Sequence, residues 1–335
     1  MKLLFIGGTG LISSACSELA VQQGHEVFLL NRSASRKYPA PKGSTILQAD
    51  IQAPNTRLDS LVEGHRFDAV IDFLAYVPED IRRGISLFRD KTDQFVFISS
   101  ASAYQKPPKH YMLTEETPLE NPFWQYSRDK IACEEMLMGE YRKTGFPVTI
   151  VRPSLTYGPS QIPVIGASWL HPYTLVDRIR RGLKVIVPGD GTSLWVLTWN
   201  ADFATGLLGL LGNKESIGEA FHITADEVLT WNQIFLELYS ALNMEPEMLH
   251  IPSDFIVAFD PEKRGTLHGD KINSAVFDNS KVKRFVPDFN CNVTWAEGVR
   301  RSLAWFEYHP QFQTIDAESN ILWDKIIAGY KQAFP

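Results

Sequence analysis

The sequence predicts an α/β fold, a doubly wound parallel sheet followed by a smaller C-terminal α/β domain. Three observations support this prediction. Short apolar segments alternate with amphipathic ones in the first half, a glycine-rich turn follows the first segment, and Pro/Gly-rich loops begin near residue 157. Strands buried on both faces of a parallel sheet need no polar alternation, and helices must cover both faces.

The first half holds six candidate strands, at 2–6, 26–30, 45–48, 69–72, 94–98 and 148–151. Candidate helices lie between several of them, at 10–23, 80–88 and 126–141. This alternation is typical of βαβ units, which place parallel strands side by side. Further along the chain we expect a helix at 202–211, a strand at 220–223, and helices at 231–242, 295–308 and 317–330.

Composition narrows the class of protein. The 335 residues are 44% hydrophobic and 21% charged, which is typical of globular proteins and excludes wholesale disorder. The three cysteines form neither a CxxC motif nor a zinc spacing, so we expect reduced thiols and a cytoplasmic protein. The net charge of −6 disfavours nucleic acid as a partner, and no apolar run is long enough to predict a membrane span.

A glycine-rich turn stands between the first strand and the first helix. Backbone N–H groups in such a turn can approach a pyrophosphate, and the positive end of the helix dipole faces the phosphates. The alternative is an ordinary strand-to-helix turn, but the strand before it and the helix after it favour dinucleotide binding. The predicted binding residues are Gly7, Gly8, Thr9, Gly10, Leu11 and Ile12. Ser13 replaces the third glycine of the pattern, at a position that serves packing.

The end of the second strand favours NADP over NAD. Sites for NAD place an acidic residue there, whereas this chain has Asn31, Arg32 and Ser33. Arg32 can make charge-assisted hydrogen bonds to a 2′-phosphate, and Ser33 offers another donor. NAD stays open as the alternative. After the third strand, Asp50 and Ile51 are expected to contact the adenine.

Three further residues form a candidate catalytic set. Tyr126 and Lys130 lie one turn apart on the same face of a predicted helix, and Ser100 follows the fifth strand. A nearby ammonium favours the phenolate of a tyrosine, which can then exchange a proton with a hydroxyl or carbonyl. Each motif alone also fits a surface pair or a strand-end turn.

In combination, these motifs resemble the extended short-chain dehydrogenase/reductases, the NAD-dependent epimerase/dehydratase family. The resemblance covers residues 3 to about 281. It rests on the glycine turn, Asp50-Ile51, Ser99-Ser100, Tyr126 with Lys130, and the run Arg-Pro-Ser-Leu-Thr-Tyr-Gly-Pro at 152–159. It implies a Rossmann-type dinucleotide-binding domain at 1–158 and about 199–223. A substrate-binding domain would comprise about 159–198 and 224–335.

The resemblance also implies roles for single residues. Ser100 takes the place of the catalytic Ser/Thr, Tyr126 is the acid/base, and Lys130 supports it and holds the nicotinamide ribose. Pro153 lies beside the nicotinamide carboxamide. The loop that passes under the pyrophosphate is formed by Phe73, Leu74 and Ala75.

Departures from the family pattern indicate an atypical member. The acid that sugar-nucleotide 4,6-dehydratases use is replaced by Ala101 and Ser102, so we do not expect that reaction. Trp195 and His268 stand where the family has two arginines that clamp a substrate diphosphate. We therefore expect a small substrate without a nucleoside diphosphate, and Ser102, Trp195 and His268 are candidate substrate contacts. An aromatic or moderately apolar carbonyl compound or alcohol would suit Trp195, Trp169 and Trp199, and core packing is the alternative for these tryptophans.

These observations predict an NAD(P)-dependent oxidoreductase or epimerase that acts on a hydroxyl or carbonyl carbon of a small molecule. The alternative is a dinucleotide-binding regulatory or RNA-binding protein on the same fold, similar to the chloroplast stem-loop-binding proteins. The joint presence of Ser100, Tyr126 and Lys130 favours the enzyme. A homodimer through the helix that carries Tyr126 is a further expectation, with burial of that helix against its own sheet as the alternative.

Overall fold

A computed structural model describes residues 1–33, 35, 37–53, 58–163 and 168–334 of the chain. The strands in this part are β1 (Lys2–Ile6), β2 (Glu26–Asn31), β3 (Thr45–Gln48), β4 (Ala69–Asp72), β5 (Phe95–Ile98), β6 (Met112–Leu113), β7 (Val148–Pro153), β8 (Leu155–Tyr157), β9 (Val185–Pro188), β10 (Leu194–Trp195), β11 (Leu197–Trp199), β12 (Ala220–Ile223), β13 (Leu229–Thr230), β14 (Met248–Ile251) and β15 (Val276–Phe277).

The α-helices are α1 (Ser13–Gln22), α2 (Leu58–Val62), α3 (Pro78–Phe88), α4 (Gln125–Thr144), α5 (Tyr173–Arg180), α6 (Asn200–Leu210), α7 (Trp231–Ala241), α8 (Ser253–Phe259), α9 (Lys263–Thr266), α10 (Ser280–Phe285), α11 (Trp295–Tyr308) and α12 (Ala317–Ala333). A π-helical turn at Leu267–Lys271 follows α9 directly. Short 3₁₀ turns occur at Ala101–Ala103, Lys214–Ser216 and Pro310–Phe312. None of these described helices is both long and apolar enough to cross a bilayer.

Seven of the strands form one parallel sheet in the order β12-β7-β5-β4-β1-β2-β3. The chain first adds β2 and β3 on one side of β1. It then crosses to the other side of β1 and adds β4, β5, β7 and β12. The strand order reverses between β1 and β4, and ligands of open α/β sheets bind at the carboxyl ends of the strands beside such a reversal. The predicted doubly wound fold is therefore confirmed.

Both faces of the sheet are buried. Leu3 and Phe5 of β1 point into a core that includes residues of α1 and α6, whereas Leu4 and Ile6 point into a core that includes residues of α3 and α4. This arrangement explains why the strands are apolar throughout, because neither face meets water. Met136 and Met138 of α4 are partly buried and pack against the second of these cores, and a homodimer through this helix stays a prediction.

The first helix begins later than the sequence suggests. The prediction of 10–23 was wrong at its start, since α1 begins at Ser13 and residues 7–12 form the turn that precedes it. Gly7 and Gly8 have φ angles of 106° and 87°, a left-handed conformation that residues other than glycine rarely adopt. Residues 10–12, which the sequence assigns to the helix, therefore belong to the turn.

The second half is built from short strands and helices around a third core, which includes the large side chains of Trp195, Trp231 and Trp295. The three late helices predicted from sequence are present as α7, α11 and α12. Helix α5 and the two-residue or three-residue strands were missed, because segments this short carry no readable periodicity. The division into two domains stays a prediction.

Candidate functional site

Helix α4 is tied to the sheet by a buried ion pair. The Arg152 guanidinium of β7 donates to the Glu134 carboxylate of α4 at 2.6 Å, and both side chains are buried. Ser99, directly after β5, donates its hydroxyl to the same carboxylate at 2.5 Å. Because Glu134 lies one turn after Lys130 and two turns after Tyr126, this contact fixes which face of α4 meets the ends of the strands.

Ser100 and Tyr126 are brought together at that edge of the sheet. Both side chains line the same cavity, and the Ser100 hydroxyl lies close enough to the Tyr126 phenol to lower its pKa. The Ser100 and Ser102 hydroxyls lie 2.9 Å apart, and Ser127 donates its hydroxyl to Ser102 at 2.8 Å. The structure therefore places a chain of hydroxyl groups beside the phenol, in the turn that follows β5.

Burial controls the proton on Tyr126. It raises the pKa of this phenol to about 12, and the interaction with the Ser100 hydroxyl opposes the rise. The side chain also packs against Trp124, with ring centroids 4.9 Å apart. At neutral pH the group therefore carries its proton and is a neutral phenol.

Lys130 lies behind Tyr126 as a buried cation. Its ammonium donates to the backbone carbonyls of Ala75 at 2.7 Å and Ile98 at 2.8 Å, which leaves one of its three N–H groups for another acceptor. Burial lowers the pKa of Lys130 to about 8, and the charge of Asp72 opposes this. Burial likewise raises the pKa of Asp72 to about 6.

A groove of about 970 Å³ runs along the carboxyl ends of β1, β2 and β4. Most residues predicted to bind the cofactor line it: Gly7, Thr9, Gly10, Leu11, Ile12, Asn31, Arg32, Ser33, Asp50, Ile51, Phe73 and Leu74. Gly8, Ala75 and Lys130 do not line it. A Cβ on Gly8 would stand 2.7 Å from Leu29, so this glycine allows close packing, and the carbonyl of Ala75 accepts from Lys130.

The glycine turn before α1 has a backbone geometry that suits the phosphates of a dinucleotide. The left-handed Gly7 and Gly8 bring the backbone to the N-terminus of α1, where the first N–H groups have no acceptor within the helix. Ser13 accepts a hydrogen bond from the N–H of Gly10 at 2.9 Å. The serine thereby stabilises the turn at the position where the pattern has its third glycine.

Asn31, the last residue of β2, shapes the part of the groove beside the end of this strand. Its side chain donates to the carbonyl of Gly7 at 3.2 Å and accepts from the N–H of Ser33 at 2.8 Å. The Arg32 guanidinium lies 3.9 Å from the carboxylate of Asp50 and its side chain is 72% exposed. Such a loose contact leaves Arg32 able to turn toward a ligand phosphate.

The groove opens into a second cavity of about 540 Å³, and Ile12, Tyr76 and Trp169 line both. Ser100, Ser102, Tyr126 and Pro153 line this cavity. Its lining is otherwise mainly apolar and aromatic and includes Trp124, Leu155, Ile186, Trp195, Leu267, Phe277 and Trp323. The predicted catalytic hydroxyls thus face a largely apolar chamber at the point where it meets the groove.

Two sequence-based expectations about the substrate fail in part. His268 does not line the cavity, because its Nε2 pairs with the Asp254 carboxylate at 2.7 Å. Trp199 is buried against Tyr157, with ring centroids 5.2 Å apart, and serves packing. Trp195, in contrast, lines the cavity as expected.

Sequence reasoning missed the five charged residues that line the cavity, and three of them, Lys106, Asp270 and Lys271, lie together. Lys106 comes two residues after Tyr104 in the loop beyond β5, and the other two follow His268 on the π-helical turn. The signal that could have identified Lys106 was its position in the loop after β5, the loop that also carries Ser100. In the described part of the chain, no cluster of His, Cys, Asp and Glu is arranged to hold a metal ion.

Comparison with known proteins identifies the family. The sequence profile of the NAD dependent epimerase/dehydratase family matches residues 3–224. The chain therefore belongs to this family, the extended short-chain dehydrogenase/reductases. The resemblance drawn from the motifs and the predicted enzyme class are confirmed.

Individual relatives are distant. The chain is 25% identical over 267 residues to the chloroplast stem-loop binding protein of 41 kDa b from Arabidopsis thaliana, covering 76% of this chain and 67% of the relative. It is 23% identical over 334 residues to a UDP-N-acetyl-alpha-D-glucosaminuronate decarboxylase from Bacillus cytotoxicus, covering 91% and 97%. A UDP-glucuronic acid 4-epimerase structure from Bacillus cereus shares the fold, with a TM-score of 0.73, 19% identity, and coverage of 92% and 100%.

Proposed function

We propose that this protein is an NAD(P)-dependent oxidoreductase or epimerase that acts on a hydroxyl or carbonyl carbon of a small molecule. One observation carries the proposal: Ser100 and Tyr126 both line a largely apolar cavity that opens onto the groove at the glycine turn. A site for hydride and proton exchange needs this junction, because the proton donor and the dinucleotide must reach the same carbon.

The chain's own residues would bind the dinucleotide along the groove. The glycine turn and the N-terminus of α1 hold the pyrophosphate, and Lys130 donates its remaining N–H to the ribose. Arg32 favours NADP, since no carboxylate stands at the end of β2 to hold a free 2′-hydroxyl. The bound nicotinamide supplies or accepts the hydride.

Tyr126 would move the proton. As a neutral phenol it donates its proton to a carbonyl oxygen that becomes an alcohol, and in the reverse direction the phenolate takes the proton back. Ser100 donates a hydrogen bond to the same oxygen and stabilises the charge that develops on it. The nearby ammonium of Lys130, whose Nζ lies 5.9 Å from the centroid of the Tyr126 ring, favours the phenolate.

The experiment is a screen of alcohols and carbonyl compounds that follows reduced nicotinamide by absorbance, with wild-type protein and the Tyr126→Phe variant. The substitution keeps the ring and removes the proton, so turnover should fall by roughly 10²–10⁴-fold while cofactor binding persists. Tyr308→Phe, at an exposed tyrosine, is the matched control and should leave turnover unchanged.

Two results would overturn the proposal. Full activity of Tyr126→Phe on a substrate found in the screen would remove the catalytic role of this residue. The second is tight binding of a stem-loop RNA while no compound of the screen reacts. That result would favour a regulatory RNA-binding protein, to which the Arabidopsis relative's name points.

A further inference from the structure

The cavity contains a compact charged cluster that the proposed chemistry does not use. Asp270 lies between two lysines, with its Oδ2 2.9 Å from the Nζ of Lys271 and its Oδ1 3.7 Å from the Nζ of Lys106. The three residues come from the loop after β5 and from the π-helical turn, and all three line the cavity. Two cations therefore share one carboxylate inside a mainly apolar chamber.

Lys106 is poorly compensated for a buried cation. Its side chain is 1% exposed, and the distance of 3.7 Å to Asp270 exceeds the range of a well-formed N–H···O hydrogen bond. The other contact of its ammonium within the described residues is the face of the Trp195 ring, 5.9 Å from the centroid. Burial lowers the pKa of Lys106, and Asp270 opposes this. A buried charge without a close partner is unfavourable, so an anion placed here would be stabilising.

The ring of Trp195 lies beside the two lysines. Its centroid is 5.5 Å from the Nζ of Lys271 and 5.9 Å from the Nζ of Lys106, so the indole packs against both cations. A cation–π contact at this distance is weaker than a close ion pair, so it leaves Lys106 without a close anionic partner.

The charged residues of the cavity favour a ligand with one negative charge. Those that line it are Lys106, Lys263, Lys271, Asp260 and Asp270, which give three positive and two negative charges and a sum of +1. The inner cluster of Lys106, Asp270 and Lys271 gives the same sum. A single carboxylate would balance this sum, whereas a phosphate dianion would exceed it and meet a stronger repulsion from Asp270.

We propose that the substrate carries one carboxylate, bound by Lys106 and Lys271 beside Trp195, on an apolar body that fills the rest of the cavity. This inference rests on the proposed function, since it names the substrate class of the same site. The carboxylate would hold the substrate at one end while its hydroxyl or carbonyl carbon reaches Ser100 and Tyr126.

The test is isothermal titration calorimetry of the cofactor-loaded protein with matched probes. The carboxylates are phenylacetate, 3-phenylpropionate and 4-phenylbutyrate, and each is paired with its uncharged amide. In at least one pair the carboxylate should bind more tightly than the amide. Lys106→Gln should weaken that carboxylate by about tenfold to about a hundredfold and leave the amide unchanged. Lys271→Gln should act in the same direction.

Asp270→Asn separates charge recognition from general damage to the cavity. Removal of the competing carboxylate should strengthen binding of the carboxylate probe, whereas a disrupted cavity would weaken it. Lys184→Gln, at a surface lysine paired with Glu247, is the control and should change nothing. Phenyl phosphate should bind more weakly than the best carboxylate.

Three outcomes would overturn the inference: no pair in which the carboxylate is preferred, a preference that survives Lys106→Gln and Lys271→Gln together, or tighter binding of phenyl phosphate. The readout is binding rather than turnover. A loss of turnover in Tyr126→Phe combined with no carboxylate preference would thus reject this inference and leave the proposed function standing.

Discussion

The groove at the glycine turn and the adjoining cavity meet at Ile12, Tyr76 and Trp169 but are built in different ways. The groove is shaped by backbone, through the turn after β1 and the ends of neighbouring strands. The cavity is shaped by side chains from distant segments, such as Lys106, Trp195 and Lys271. The difference separates a proposed dinucleotide site, set by the fold, from a proposed substrate chamber that sequence divergence can reshape.

The largest expected effect concerns the buried ion pair between Arg152 and Glu134, which holds α4 on the sheet. Glu134→Gln keeps the size of the side chain but leaves the buried guanidinium of Arg152 without its counter-charge. We expect the free energy of unfolding to fall by about 3–5 kcal/mol. Urea denaturation followed by circular dichroism is the measurement.

The control for this prediction is Glu140→Gln on the same helix. Glu140 pairs with Arg89 at the surface, so the substitution should change the free energy of unfolding by no more than about 1 kcal/mol. Similar small losses in both variants would show that the buried pair does not anchor α4. The cavity would then depend on apolar packing alone.

The next effect tests the groove. Arg32→Ala should weaken NADP by about 1.5–3 kcal/mol, roughly 10-fold to 150-fold, because a charge-assisted contact to the 2′-phosphate is lost. Binding of NAD should change little. Cofactor titrations of both proteins are the measurement, and Arg82→Ala, at an exposed arginine of α3, is the control. Equal losses for both dinucleotides would reject the NADP preference.

The smallest effect concerns Lys130, which lines neither the groove nor the cavity but has its Nζ 4.7 Å from the centroid of the Tyr76 ring, and Tyr76 lines both. Lys130 has a pKa of about 8 in the cofactor-free protein, lowered by burial, so rising pH removes the ammonium that would bind the ribose. The dissociation constant of the cofactor should therefore increase about tenfold, or about 1.4 kcal/mol, between about pH 7 and about pH 9.

Lys130→Met provides the comparison for this pH dependence. It lacks the titrating group, so its weaker cofactor binding should be flat over the same pH range. A wild-type profile as flat as that of the variant would remove Lys130 from the cofactor site. An increase centred near pH 10, the range of a solvated lysine, would show that burial does not perturb this group.

The sequence predicted the groove better than the cavity for a physical reason. Glycine turns, apolar strands and the four-residue spacing of Tyr126 and Lys130 are local patterns, so they are legible without a structure. Even so, Gly8 and Ala75 were assigned to the groove but do not line it, because side-chain packing decides which turn residues face the ligand.

The cavity depends on contacts that no local pattern carries. Lys106 and Asp270 are 164 positions apart in the chain and approach only after the π-helical turn has packed beside the loop after β5. His268 was chosen from the correct segment, but its pairing with Asp254 turns it away from the cavity. The irregular geometry of that turn decides which of its side chains face inward.

A crystal structure of the protein with a bound nicotinamide dinucleotide would decide whether groove and cavity form one site. We expect the pyrophosphate at the N-terminus of α1, the ribose within hydrogen-bond distance of Lys130, and the nicotinamide between Pro153 and Tyr126. A dinucleotide bound away from the glycine turn, or with its nicotinamide outside the cavity that Ser100 and Tyr126 line, would contradict this expectation.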